Sequence, residues 1–483
     1  MLTKYPLRLL TLLALGLLTF QCTQKETIEL KPNSRIALIG NNLGSRMMDY
    51  GSFETEMQLR NPEKNLFIRN LSDPGDTPGF RPRSGTNDPW AFPGAEDFQV
   101  EYATPSGSIG HLEKPDEWLS RLQTDIIISF FGYNESFQGV EGVENFKAEL
   151  DAFIKHTLRQ KYHDTLSPKL VIVSPIAFED LSEKIDVPDG KTENENLNLY
   201  TVAMREIAEN NKVLFVDAFS PSKQWYLETE EDLTIDGSQL NEAGYKKLAV
   251  LLADEIFGKT NIKNEANREL VHEAVQEKNW FWRNDYKIPN GVHVFGRRYD
   301  PFGPDNYPFE LEKIRQLTAI RDTAIWMANQ GERKDLAEAD SHTKVLPEVE
   351  TNYNPEKNGD LTYLYGEEAL SKLKVAPGYK IELFASEEEW PNLANPVQLS
   401  FDNKGRLWVA TMPSYPHYKP GDARPADKLL IYEDTDNDGK ADKETVFADD
   451  LHIPVGFELA AEGVYVSQGN NLVILYDDNN DDK

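Results

Sequence analysis

Residues 124–137 read TDIIISFFGYNESF, and they decide the fold. Ile126, Ile127, Ile128, Phe130 and Phe131 make an apolar run interrupted only by Ser129, and it stops at Gly132-Tyr133-Asn134-Glu135. An apolar run of this length without alternation, closed by a glycine turn, predicts a central strand of a parallel sheet, buried on both faces. In an open α/β sheet ligands sit beyond the carboxyl ends of the strands, which is where Asn134 falls. Gly132 and Asn134 are also ordinary turn formers, so the turn alone does not establish a site.

Working outward, the pattern repeats. Residues 31–40 (KPNSRIALIG) read as a first strand ending in a glycine turn, with Asn41-Asn42 opening a helix. Residues 65–70 (NLFIRN) read as a second strand that runs into LSDPGDT at 71–77. After the third strand come a helical stretch at 143–161, a strand at 169–175, a helical stretch at 194–211 and a strand at 213–217. Residues 232–244 (DLTIDGSQLNEAG) form a loop entering a last helix over 242–257. Strands alternating with helices predict βαβ units and a parallel sheet covered on both faces.

A chain of 483 residues exceeds what one core supports and predicts two or three domains. Its 51 Lys+Arg against 81 Asp+Glu give a formal net charge of -30. Such a surface repels nucleic acid and suits neutral, sugar-like ligands or cations. The single cysteine excludes internal disulfides, cysteine-based zinc sites and an attached c-type haem within the chain. Residues 1–22 carry Lys4 and Arg8, then an apolar stretch, then Cys22, which is a signal-peptide layout too short for a membrane span. A cysteine directly after the apolar core resembles a bacterial lipoprotein acceptor, although Gln21 stands where a small residue is usual. The expectation is an exported protein, lipid-anchored at Cys22, facing the periplasm or cell surface.

The order of loops in residues 31–260 resembles that of SGNH/GDSL hydrolases, an α/β family with a flavodoxin-like three-layer sandwich. The family's blocks are Gly-Asp-Ser after the first strand, Gly after the second, Gly-x-Asn after the third and Asp-x-x-His near the end. The resemblance implies a serine activated by histidine, an aspartate orienting that histidine, and an oxyanion hole built from the serine amide, the glycine amide and the asparagine side chain. Gly75 in PGDT matches the second block, Asn134 in GYNE the third, and Asp236 in DGSQLNEAG the aspartate. The two bond-making residues do not match. Asn42 stands at the serine position and Gln239 at the histidine position. An amide is neither nucleophile nor general base at neutral pH, and losing either partner removes about 10⁶-fold of catalysis in a serine–histidine enzyme. The expectation is therefore a pseudo-hydrolase in which Gly75, Asn134 and Asn42 hold a carbohydrate or acylated glycan, with Asp236 a structural relic. The alternative is an active carbohydrate esterase with a displaced nucleophile, Ser45, and His272 folding back as its base.

Residues 261–345 change character. The aromatic and basic stretch at 279–299 (NWFWRNDYKIPNGVHVFGRRY) is expected as an extended segment clamped on the first domain, and 309–329 as a helix. Residues 336–360 lack periodicity, and a linker is assigned to 346–375. From there the period switches to strands at 379–385, 397–401, 406–411, 428–432, 463–467 and 471–476. The acidic tails that follow, from Asp434 and from Asp477, repeat at an offset of 43 residues, a spacing typical of a four-stranded propeller blade.

Residues 376–483 resemble the β-propellers of glucose/sorbosone dehydrogenase type, and more closely the bacterial PVC-type haem-binding multidomain proteins. That resemblance implies that the chain is the N-terminal part of a longer protein, with a haem-binding domain downstream and sugar dehydrogenase activity carried by the complete propeller. The propeller segment is expected not to fold alone, since repeats bury their faces against neighbours. Asp434, Asp436, Asp438 and Asp442 follow the opening spacing of a calcium loop, although Thr445 stands where a bidentate Glu is usual. The same residues also suit an acidic hairpin turn. His417 and His452 fall in propeller loops, where they could face the central cavity.

Overall fold

A computed structural model describes residues 27–83, 88–98, 112–295, 302–348, 353–359 and 362–482. Cys22 and the export segment lie outside the described residues. Among the described residues, no helix is long and apolar enough to cross a membrane.

The first unit is an α/β domain. Its strands are β1 (Arg35–Gly40), β2 (Phe67–Asn70), β3 (Ile126–Phe130), β4 (Lys169–Val173) and β5 (Leu214–Val216). They form one sheet in the order β2-β1-β3-β4-β5, and every pairing is parallel. Its helices are α1 (Asn42–Tyr50), α2 (Ser52–Arg60), α3 (Pro115–Arg121), α4 (Tyr133–Ser136), α5 (Gly139–Arg159), α6 (Lys191–Asn211), α7 (Phe219–Glu228) and α8 (Glu242–Phe257). All five residues of β3 are buried, as its apolar run requires of a strand covered on both faces. Alternate residues feed two cores. Ile126, Ile128 and Phe130 pack with Met47 of α1 and with Leu248 and Leu252 of α8. Ile127 and Phe131, which follow the other face, pack with Phe146 and Leu150 of α5 and with Tyr200 of α6. The five-stranded parallel sheet with helices on both faces fits an α/β SGNH-like domain. Strand order reverses between β1 and β3, and the crevice beyond their carboxyl ends is the expected ligand position.

Residues 268–286, of which 279–286 were expected to be extended, form a helix instead, α9 (Arg268–Tyr286). The cause lies upstream of the aromatic cluster. Val271, Val275, Lys278, Trp282 and Asp285 recur at helical spacing and are all buried. After the short α10 (Gly291–Val294), α11 (Phe302–Asn329) packs on α9, and α12 (Leu336–Ser341) occupies part of the stretch read as aperiodic. Trp282 ties this helix to the first domain: it is buried and donates from Nε1 to Asn70 O at 2.7 Å. Buried charge pairs pin the same helices down. Lys278 Nζ donates to Glu54 Oε2 at 2.6 Å, and Arg69 takes Asp322 through two nitrogens at 2.9 and 2.5 Å.

The C-terminal part is antiparallel. Strands β6 (Pro396–Phe401), β7 (Leu407–Thr411), β8 (Asp427–Glu433) and β9 (Lys443–Leu451) form one four-stranded meander. Strands β10 (Phe457–Leu459), β11 (Val464–Gln468) and β12 (Asn471–Leu475) form a second sheet. The two pack face to face through Trp408, Ile431 and Phe447 against Phe457, Val464 and Val466. These sheets are compatible with propeller blades. Residues 379–385, expected as a strand, form no ladder; Phe384 O accepts from Ala441 N at 2.9 Å, and isolated bonds of that kind do not make a strand. His417 does not face a propeller cavity: its Nε2 lies 2.8 Å from Glu310 Oε2 on α11. With Trp280 stacked edge-on to Tyr418 at 4.7 Å, that pair joins the β-sheet part to the helices.

Candidate functional site

The site begins where β1 ends. Gly40 has φ 129°, and a Cβ there would lie 2.2 Å from Phe130 O, so only glycine lets β1 turn this close to β3. Asn41 then caps α1, its side chain accepting from Leu43 N at 3.3 Å, and Asn42 becomes the first helical residue. On the other side, the loop before α8 is fixed by the buried Glu179. Its carboxylate accepts from Leu233 N, Thr234 N and Thr234 Oγ1. Asp236, Ser238 and Gln239 are presented from that loop toward Asn42.

Asn42, Gln239 and Asp236 form a chain. Asp236 Oδ1 accepts from Ser238 N at 2.9 Å, Ser238 Oγ at 3.0 Å and Gln239 N at 2.8 Å. Gln239 Nε2 donates to Asp236 Oδ2 at 2.6 Å, and Asn42 Nδ2 donates to Gln239 Oε1 at 2.9 Å. A carboxylate only accepts, so it orients the glutamine with nitrogen inward and oxygen toward Asn42, and this in turn orients the asparagine. The chain thus runs from one amide through a second amide to a carboxylate. Asn42, Ser238 and Gln239 open on a cleft of about 100 Å³, lined also by Leu43, Arg46, Tyr133 and Ile176. Burial holds the Tyr133 hydroxyl above its usual range, so it stays a neutral donor.

Gly75 and Asn134 meet each other but not that cleft. Asn134 Nδ2 donates to Pro74 O at 2.9 Å and to Asp76 O at 3.1 Å, clamping the turn that carries Gly75. A primary amide has two N–H donors, and both are spent, so the expected role of Asn134 as a donor to bound ligand is not what this geometry provides. Gly75 is exposed. Next to Asn134, Glu135 is buried and accepts from Gly132 N at 2.8 Å, closing the turn after β3. Burial, then the neighbouring Glu149, push its carboxyl up to about 8.

Ser45 and His272 are not partners. His272 Nδ1 lies 3.2 Å from Thr55 Oγ1. Ser45 instead receives a hydrogen bond from Lys287 Nζ at 2.5 Å, and burial pushes that lysine down to about 8. Lys287 went unnoticed in the sequence because a lysine in a basic, aromatic stretch carries no spacing signal toward a serine 242 residues away. Ser45 is only 6% exposed and does not line the cleft. In the β-sheet part, Asp434, Asp436 and Asp442 bring carboxylate oxygens within 4.8 Å of one another. Asp438, grouped with them by spacing, turns Oδ1 to the amide of Lys440 at 2.9 Å.

The model of a domain of unknown function (DUF7133) matches residues 366–483. No curated protein matches the chain. Among solved structures, the chain is similar to the acetylxylan esterase Axe2 from Geobacillus stearothermophilus, at 15% identity and TM-score 0.32 over 47% of this chain and 96% of that one. It is also similar to a GDSL-like lipase from Parabacteroides merdae, at 14% identity and TM-score 0.33 over 48% and 98%. A gut microbial diltiazem-metabolizing enzyme, BT4096, aligns at 15% identity and TM-score 0.34 over 48% of each chain. Overlap at this level carries no argument about chemistry, and the α/β assignment rests on the strand order and parallel register.

Proposed function

We propose that the α/β domain is a ligand-binding module on a hydrolase-like scaffold, holding carbohydrate or acylated glycan in the cleft at Asn42 and Gln239. The observation that carries it is the hydrogen-bond chain from Asn42 through Gln239 to Asp236. Each member of that chain is oriented by its neighbour, and its first two members are amides that can neither attack a carbonyl nor accept a proton at neutral pH. The amide edge of Asn42 that faces away from Gln239 suits hydroxyl and carbonyl oxygens. On this reading the domain is the front part of an exported, lipid-anchored protein whose β-sheet part opens a propeller of sugar-dehydrogenase type, followed by a haem-binding domain. The 43-residue repeat and the face-to-face sheets support the propeller, and the layout of residues 1–22 supports export.

The purified chain should release no p-nitrophenol from p-nitrophenyl acetate, and no acetate from acetylated xylan, above buffer. One observation favours the rival reading of an esterase: the Ser45–Lys287 contact, a serine beside a lysine with a lowered pKa. A serine-directed phosphonate separates the two. Labelling that disappears in Ser45→Ala would establish the esterase and sink the binding reading.

A further inference from the structure

Arg46 stands one turn after Asn42 on α1, so the two side chains share a helix face, and both line the cleft. Several arginines of this protein that are buried or half-buried are matched to carboxylates: Arg60 to Asp254, Arg69 to Asp322, Arg81 and Arg83 to Asp76, Arg321 to Asp340. Arg46 is not. Its guanidinium meets only tyrosines, donating from a terminal nitrogen to Tyr50 Oη at 3.0 Å and reaching the Tyr245 hydroxyl, and its Nε is buried without an acceptor. Asp49, the nearest acid along the helix, pairs with Arg283. Asp236, across the cleft, already accepts from four donors. Among the described residues Arg46 therefore makes no ion pair. A buried N–H without an acceptor costs stability unless something else supplies one, and in Arg46 that N–H is Nε. Its planar fork matches a carboxylate through two parallel hydrogen bonds.

The rest of the lining complements such a group. Asn42 keeps its Oδ1 and one N–H outside the chain to Gln239, and Tyr133 adds a hydroxyl, which suits the hydroxyls of a ring. Leu43, Ile176 and Leu240 offer apolar wall to ring carbons. We propose that the cleft selects a sugar acid, a hydroxylated ring bearing one carboxylate, with Arg46 taking the carboxylate and Asn42 the ring hydroxyls. This rests on the binding reading above and narrows its ligand class. The restriction to one carboxylate follows from the net charge of -30, which opposes the approach of a polyanion.

Titration calorimetry on the full chain with D-glucuronate and with D-glucose tests it. Glucuronate should bind at least about tenfold more tightly than glucose, as expected for a charge-assisted pair over a neutral contact. Arg46→Gln should erase that preference by weakening glucuronate at least about tenfold, and Arg46→Lys should restore part of it. An unchanged thermal midpoint in both variants shows that they are folded. Equal affinity for the two sugars, or a preference that survives Arg46→Gln, overturns the proposal and leaves the binding module standing. Binding of neither sugar overturns the sugar-acid proposal, and if acetylated xylan also fails to bind, the binding reading falls with it.

Discussion

Glu135 is the residue whose replacement has the most calculable consequence. It sits in the turn after β3, fully out of water, with its Oε2 on Gly132 N and its Oε1 without a partner. Burial, reinforced by Glu149, holds its carboxyl at about 8 in the folded chain instead of the ordinary 4.5. Below pH 4.5 the group is protonated in both states and adds no pH dependence. Between pH 4.5 and about 8 the unfolded chain gives up the proton while the folded chain keeps it. The unfolded state then binds fewer protons, so stability falls with rising pH, by about 1.4 kcal/mol per pH unit. At pH 7 the accumulated loss is roughly 3 kcal/mol, and above pH 8 it levels off. Glu135→Gln is neutral throughout and keeps an oxygen for Gly132 N. Its advantage over the parent should be small at pH 5 and should grow by roughly 3 kcal/mol by pH 8. Urea unfolding followed by tryptophan fluorescence at pH 5, 6, 7 and 8 reads this directly. A difference between the two proteins that stays flat across that range would refute the argument.

Introducing a serine and a histidine into the cleft with Asn42→Ser and Gln239→His should raise p-nitrophenyl acetate turnover by no more than about tenfold. Both hydrogens of Asn134 are already bound to Pro74 O and Asp76 O, and one missing oxyanion donor costs about 10²–10³ in rate. Recovery of several hundredfold would show that Asn134 is free to serve. Lys278→Met leaves Glu54 buried without its cation and should lower stability by about 3–5 kcal/mol, seen as a drop in the thermal midpoint. The double variant Lys278→Met with Glu54→Leu should recover much of that loss; if it is worse than the single change, the pair stabilises through more than its charge. Gly40→Ala should cost at least about 3 kcal/mol, because the new methyl meets Phe130 O at 2.2 Å and the backbone there is left-handed. A cost below about 1 kcal/mol would show that β1 and β3 can separate at their ends.

Much of this architecture is legible in the chain. The apolar run of β3 and its alternation with helical stretches announce a parallel sheet, because burial on both faces leaves no polar period to mask it. The helix Glu242–Phe257 matches its sequence boundaries, with Asn241 as a capping residue. The placing of Asn42 and Gln239 at the end of the sheet is visible too, since loop order gives it without any coordinates. What the chain does not reveal is whatever depends on which segments meet. Residues 279–286 look like an aromatic strap until the upstream Val271 and Val275 show the face they share. Lys287 finds Ser45, and Glu310 finds His417, across separations that no local period records. Asn134 follows β3 as the sequence reads, yet only the path of the turn at residues 74–76 shows that its donors are consumed. Arg46 reads as one charge among 51 basic residues until the fold sets it in a cleft and pairs its neighbours with others. Sequence by itself determined the sheet and its crevice, because burial period and loop order are local properties. Tertiary structure alone decided which polar groups are satisfied and which face the cleft, because hydrogen bonds and ion pairs are settled by whatever the fold brings within about 3 Å.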